Sequence, residues 1–137
     1  MSTDIRPELS KRSKYWIPRH RYYELKHFVM QYPEWSEAIK HIDSMVRACE
    51  DRNGKLNDIP DPVGKAVENR WKLVHNISIC DNAARETDTF IGKYILEAII
   101  NGLSYEQISA RHTIPYCKDS YYDLYRKFFW LLDAARK

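Results

Sequence analysis

GLSYEQISARHTIPYCKDSYYDLYRKFFWLLDAARK, residues 102–137, carries the strongest structural signals in this chain. Gly102 is suited to end a preceding helix, because glycine adopts the left-handed conformation at little cost. Ser104 and Gln107 have the spacing of a capping box, in which each side chain binds the other residue's amide group. The pattern therefore predicts a short helix over residues 105–111.

A second, longer helix is predicted after a break at Ile114 and Pro115, since proline disfavours helical geometry in the residue before it. This helix begins at Cys117 or Lys118, and the rest of the chain contains no glycine or proline that would stop it. One face is apolar at three- and four-residue spacing and comprises Tyr121, Leu124, Tyr125, Phe128, Leu131 and Leu132. The opposite face is polar, mainly in the first half of the helix.

Polar side chains in the first half of a helix can read base edges in the major groove of DNA. The residues expected to face bases or the groove are Lys118, Ser120, Tyr122, Asp123 and Arg126. Those expected nearer to phosphates are Arg111, His112 and Lys127. Ile108 and Ile114 are expected in the core between the helices. The alternative interpretation is purely structural, because two capped amphipathic helices joined by a turn are also a common way to bury a core.

The charge of the chain is uneven, although its formal total is only +3. Residues 1–27 carry seven basic and three acidic side chains, a net charge of +4, whereas residues 28–102 carry nine and twelve, a net charge of −3. Residues 103–137 carry six and four, a net charge of +2. Basic ends around an acidic centre suit a polyanionic partner.

Residues 1–18 are predicted to form a basic N-terminal arm. Phosphate contacts in and beside this arm are expected from Lys11, Arg12, Lys14, Arg19 and Arg21. Cations alternate with aromatic rings over residues 14–23, a pattern that can place arginine on phosphates while the rings stack. For Tyr15, Trp16 and Ile17 the favoured alternative is that they pack the first helix against the core.

Four more helices are predicted before Gly102, and no stretch has the alternating pattern of a strand. They span residues 19–31, 34–51, 61–85 and 89–101, with a loop at 55–60. The apolar stripe of the third comprises Val63, Val67, Trp71, Val74, Ile77 and Ala84, and the fourth, capped by Asp88, turns Phe90, Ile91, Tyr94, Ile95, Ala98 and Ile99 inward. We therefore expect an all-α protein, a helical bundle over residues 19–137 with a helix-turn-helix at 88–135. The third helix is long enough to be the spine of the bundle or one part of a dimer interface.

Several classes of protein are excluded by what the sequence lacks. No apolar run approaches the ~20 residues of a membrane span, and no apolar segment follows the charged start, so a cytoplasmic location is expected. Cys49, Cys80 and Cys117 are far apart and have no histidine at ligand spacing, so neither a disulfide framework nor a metal site is expected. Glycine-rich phosphate loops and catalytic motifs are absent, so we expect no enzyme, no cofactor and no small-molecule substrate.

Both ends of the chain resemble a known family. The segments that carry the resemblance are RYYELK at 21–26, QYPEW at 31–35, IPYCKDSYY at 114–122 and RKFFWLL at 126–132. They are similar to the RinA/ArpU group of phage and prophage transcriptional regulators. The order of SYEQI at 104–108, Ile114 and a basic, aromatic helix also resembles the region-4-like helix-turn-helix of sigma factors. The resemblance implies a sequence-specific regulator that binds double-stranded DNA near phage genes.

Two other interpretations remain open at this point. The chain could be a small terminase-like DNA-packaging subunit, which would assemble as a ring, or a helical adaptor that binds another protein through its aromatic surface. A regulator would have RNA polymerase and a second copy of itself as further candidate partners. Ring formation and the presence or absence of DNA affinity separate the three.

Overall fold

The computed structural model describes residues 14–53 and 61–137, apart from the side chains at 49–53 and 61–63. The described residues form helices and no strand, which confirms the all-α prediction. The helices are α1 (Arg19–Met30), α2 (Tyr32–Asn53), α3 (Asp61–Thr87), α4 (Gly92–Asn101), α5 (Tyr105–Arg111) and α6 (Lys118–Ala135). The predicted loop at 55–60 lies outside the described residues.

The chain divides into two compact units. The central unit is Tyr32–Ser78, and the terminal unit contains the described residues 14–31 together with Ile79–Lys137. In the terminal unit, α1 packs on α4 and α6, and α5 packs on the same two helices. The described core of this unit includes Tyr22, Leu25, Val29, Ile91, Ile95, Ile99, Ile108, Tyr121, Phe128, Phe129 and Leu132, none of which exposes more than 2% of its surface.

The C-terminus of α4 and the N-terminus of α5 are set by local interactions, as predicted. Gly102 ends α4 in the left-handed conformation, with φ of 66°, and the Leu103 amide donates back to the Ala98 carbonyl at 2.8 Å. Both halves of the capping box are formed, since the Gln107 amide donates to Ser104 Oγ and the Ser104 amide donates to Gln107 Oε1. These caps set the direction in which α5 leaves α4.

The start of α4 differs from the prediction by three residues. Asp88 Oδ1 accepts hydrogen bonds from the amides of Phe90 and Ile91, at 2.8 and 2.9 Å, so a turn precedes the helix. The helix itself begins at Gly92, where a Cβ atom would lie only 2.0 Å from the carbonyl oxygen of Ala84. Glycine is needed there because α3 and the start of α4 approach too closely for any side chain.

Several residues that were predicted to face the core are exposed or only partly covered. Trp71 is 73% exposed and Phe90 is 57% exposed, while Tyr94 and Ile114 are half-buried. The predictions for Trp71 and Phe90 were wrong because three-and-four spacing allows a stripe to be drawn more than one way around a helix. Ile114 lies in the connection between α5 and α6, where no helical periodicity sets its direction.

The segment before α1 packs onto the terminal unit, as the structural interpretation of Tyr15, Trp16 and Ile17 predicted. Ile17 exposes 2% of its surface, and the Tyr15 ring meets the Trp130 ring edge-on with 5.6 Å between centroids. Trp16 is half-buried. Ile17 therefore belongs to the core of the terminal unit, and Tyr15 and Trp16 are partly covered beside it.

Candidate nucleic-acid interface

The first half of α6 presents a polar face, which we define as Lys118, Asp119, Ser120, Asp123 and Arg126. The first four side chains are exposed and Arg126 is half-buried. Together they line an open depression of about 490 Å³. Four of the five, all except Asp119, belong to the set that the sequence predicted would face bases, so the structure brings this part of the predicted site together.

The rotation of α6 about its axis is set by its opposite face. Tyr121, Phe128, Phe129 and Leu132 expose 1% of their surface or less. Burying a large apolar side chain stabilises a fold by about 1.5–3 kcal/mol, so turning this face outward would be costly. The polar face of α6 is consequently held in one orientation on a rigid helix.

Tyr122 is a correction to the predicted site. It exposes only 6% of its surface, and its hydroxyl oxygen accepts a hydrogen bond from the Tyr105 amide at 3.1 Å. It therefore joins the start of α5 to α6 and, although it lines part of the same depression, it offers little surface to a base. Tyr121 and Tyr122 are neighbours in the chain, and both turn inward because α5 covers the flank of α6 on which Tyr122 lies.

A chain of tyrosines fixes the connection between α5 and α6. The Tyr105 hydroxyl donates to the backbone carbonyl of Tyr116 at 2.7 Å, and the Tyr116 hydroxyl donates to Asp88 Oδ2 at 2.9 Å. Asp88 thus caps the turn before α4 with one oxygen and holds the α5–α6 connection with the other. The sequence indicated the cap, but nothing in it pointed to the contact with Tyr116, which lies 28 residues further along.

The hydrogen bonds at Asp88 change its acidity. Partial burial by itself would raise the pKa of this carboxyl group, but the amides of Ile91 and Phe90 and the Tyr116 hydroxyl donate to it, and the charge of Lys127 acts in the same direction. The result is a pKa below its usual range, because these donors favour the charged form. Asp88 is therefore ionised at neutral pH and keeps its structural role.

Ion pairs partly neutralise the polar face of α6. Lys118 Nζ lies 3.1 Å from Glu106 Oε1 on α5, and Arg126 Nη1 lies 3.9 Å from Asp123 Oδ1 one turn earlier. Both pairs are on the surface, where such contacts contribute little to stability. Either cation can exchange its carboxylate for a phosphate or a guanine edge at small cost.

The residues predicted near phosphates are placed differently from one another. Arg111 is exposed at the end of α5, and Lys127 is half-buried beside Asp88. His112 Nε2 lies 2.8 Å from Glu97 Oε2, and the His112 ring stacks on Tyr94 with 4.4 Å between centroids. The prediction for His112 is therefore corrected, since this side chain is engaged with α4 and ties the α5–α6 connection to it.

The basic residues near the N-terminus that were predicted to contact phosphates also differ from one another in their surroundings. Lys14 and Arg19 are exposed, whereas Lys11 and Arg12 lie outside the described residues. Arg21 is a correction, because its Nε donates to Asp133 Oδ1 at 2.6 Å and its Nη1 donates to Glu24 Oε1 at 2.6 Å. Arg21 thus joins α1 to the end of α6, and its first role is structural.

Two further findings bear on function. Among the described residues, no helix is both long enough and apolar enough to span a membrane. Comparison of the chain with protein-family models, with curated proteins and with solved structures finds no match.

Proposed function

We propose that this protein is a sequence-specific DNA-binding transcriptional regulator, in which α4, α5 and α6 act as a helix-turn-helix and α6 enters the major groove. The observation that supports this most is the polar face of α6, which is exposed on a helix whose other face is anchored in the core. A helix that reads bases needs this combination, because hydrogen-bonding side chains must reach out from a fixed position.

Four side chains of that face have a chemical role in this proposal. Arg126 and Lys118 can donate to the O6 and N7 atoms of guanine, and Ser120 can bond to any base. Asp123 accepts a hydrogen bond from the N4 amino group of cytosine, so a carboxylate in the groove selects for that base. Mixed charge on the face favours sequence discrimination over strong non-specific attraction.

Phosphate contacts then supply most of the affinity. In this proposal Arg111, exposed at the end of α5, and Lys127 on α6 contact phosphates, and the basic N-terminal residues add charge that carries no sequence information. The control of phage or prophage genes, with RNA polymerase as a further partner, rests on the resemblance of residues 21–35 and 114–132 to the RinA/ArpU group.

The proposal is tested by selecting bound sequences from a random pool of double-stranded DNA with the full chain. An enriched motif is expected, and Arg126→Ala should then cost about 1–3 kcal/mol at one base position and relax specificity there. Lys137→Ala is the matched control, since this exposed lysine lies after the end of α6 and outside the polar face.

Three outcomes would contradict the proposal. A chain without DNA affinity at low salt would instead be a protein-binding adaptor. A ring of about eight or more copies would favour a packaging subunit of the terminase type. An Arg126→Ala variant that weakens all sequences equally would show that Arg126 contacts phosphate and that α6 does not read the site through it.

A further inference from the structure

The central unit carries the most exposed large apolar side chain among the described residues. Trp71, on α3, exposes 73% of its surface, compared with 57% for Phe90 in the terminal unit. A single exposed apolar residue is common and by itself indicates nothing. What distinguishes Trp71 is the residue two helical turns before it.

That residue is Gly64, which lies on the same face of α3 as Trp71. Seven residues correspond to almost two full turns, so the two positions differ by only about 20° around the helix axis. A Cβ atom added at Gly64 would meet nothing within 4 Å, and its φ lies outside the left-handed region. Glycine inside a helix costs about 1 kcal/mol relative to alanine, and neither backbone geometry nor packing within the described chain requires it here.

Most of the large apolar side chains described in the central unit are only partly covered. Of its described apolar side chains, Trp35 and Ile42 are buried. Half-buried are Ile39, Met45, Val46, Val67, Leu73, Val74 and Ile77. Val67 lies four residues before Trp71 and Val74 lies three residues after it, so partly exposed apolar side chains lie next to the Trp71 ring on both sides along α3. Helices in proteins depend on the burial of such faces for most of their stability.

We propose that the chain forms a homodimer through α3, with the two copies antiparallel and the Trp71 ring of each copy packed into the space above Gly64 of the other. A two-fold axis midway between residues 64 and 71 places each ring opposite a gap, and it does so twice in one interface. Such self-complementarity is what an isologous contact requires. An unrelated partner would need only the ring or only the gap.

The distribution of charge agrees with this choice of occupant. Residues 32–78 carry eight acidic and seven basic side chains, a net charge of −1, whereas the remaining residues together carry +4. Two central units, each with a net charge of only −1, therefore repel each other less than two of the more strongly charged remaining parts would.

The test is sedimentation equilibrium of the full chain without DNA, so its outcome does not depend on the proposed DNA binding. The wild type should be dimeric. Truncating a tryptophan at the centre of an interface weakens binding by about 30-fold or more, and each dimer contains two such rings. Trp71→Ala should therefore raise the dissociation constant by about 1000-fold.

Two more variants make the interpretation specific. Phe90→Ala removes an exposed ring of the terminal unit and should leave the dimer unchanged. Gly64→Leu should favour the helix in each monomer but fill the gap, so dimerisation should weaken while circular dichroism shows undiminished helix. A loss of association in a variant that keeps its helix content cannot be attributed to misfolding.

The proposal is overturned by any of three results. The first is a wild type that stays monomeric up to about 100 µM, a concentration at which a dimer with a micromolar dissociation constant would be almost fully formed. The second is a Trp71→Ala variant that dimerises as tightly as the wild type. The third is a Gly64→Leu variant that dimerises as tightly as the wild type. A mass of eight or more chains overturns both the dimer and the proposed regulator.

Discussion

Replacing Ile108 with alanine tests whether α5 is held against its neighbours in the way described. All residues of α5 are described, and Ile108 alone among them is buried, with 0% of its surface exposed. The substitution removes three carbon atoms, which corresponds to about 2.4 kcal/mol of transfer free energy at about 0.8 kcal/mol each. A cavity of roughly 60 Å³ adds about 1–1.5 kcal/mol. The expected loss in the free energy of unfolding is therefore about 3–4 kcal/mol.

Thermal and urea unfolding followed by circular dichroism measure this loss, and the melting temperature should fall by about 10 °C. Ser109→Ala is the control, because the Ser109 hydroxyl is buried without a hydrogen-bond partner among the described residues. Removing it should be neutral or slightly stabilising. An Ile108→Ala variant that melts with the wild type would refute the packing of α5. An equal loss in both variants would show that the effect is not specific to the burial of Ile108.

Further predictions concern the N-terminal residues, the Asp88 contact and a buried hydroxyl. Deleting residues 1–13 removes three basic side chains. The affinities for preferred and for scrambled DNA should then fall together, and in a salt titration the slope of log K against log salt should become shallower by about 3 units. An unchanged slope would show that these cations do not contact phosphates. Tyr116→Phe should lower the stability at pH 7, seen as a lower midpoint in urea unfolding, because the hydrogen bond to Asp88 is lost. Folding lowers the pKa of Asp88, so the contacts of its ionised form stabilise the protein fully above the unfolded pKa of about 4 and are lost as the pH falls through the folded pKa. The loss of stability in Tyr116→Phe should therefore become smaller below about pH 4. A loss that does not depend on pH would contradict the contact between Tyr116 and Asp88. Tyr121→Phe should leave the melting temperature unchanged or raise it, because the Tyr121 hydroxyl is buried without a partner among the described residues, and a clear fall would reveal a hydrogen bond there.

The parts of this fold that could be predicted from the sequence depend on neighbours within about one helical turn. Gly102 ends α4, Ser104 and Gln107 cap α5, and Pro115 lies in the break before α6, all within a few residues of where the pattern placed them. Caps and helix breaks are local events, because the groups that satisfy them lie three or four residues away. The predicted all-helical class follows from the same local signals.

The polar face of α6 was predictable to the extent that it depends on helical spacing. Ser120 and Asp123 are exposed together because residues three apart lie on one side of a regular helix, and Lys118 is exposed in the first turn. Tyr122, by contrast, lies at the border between the two faces, and spacing alone does not assign a border residue. The amide of Tyr105, 17 residues earlier, accounts for its inward position.

Contacts between distant residues account for the remaining differences. Asp88 with Tyr116, Arg21 with Asp133 and His112 with Glu97 each join two separate segments, and each pair includes a residue that spacing had assigned to another role or to none. A charged side chain looks the same in sequence whether it will meet phosphate or a carboxylate from another helix. Only the packing of α1, α4 and α6 against one another brings such partners within hydrogen-bonding distance, and that packing is set by burial of the shared core, which has no signature within any single turn of helix.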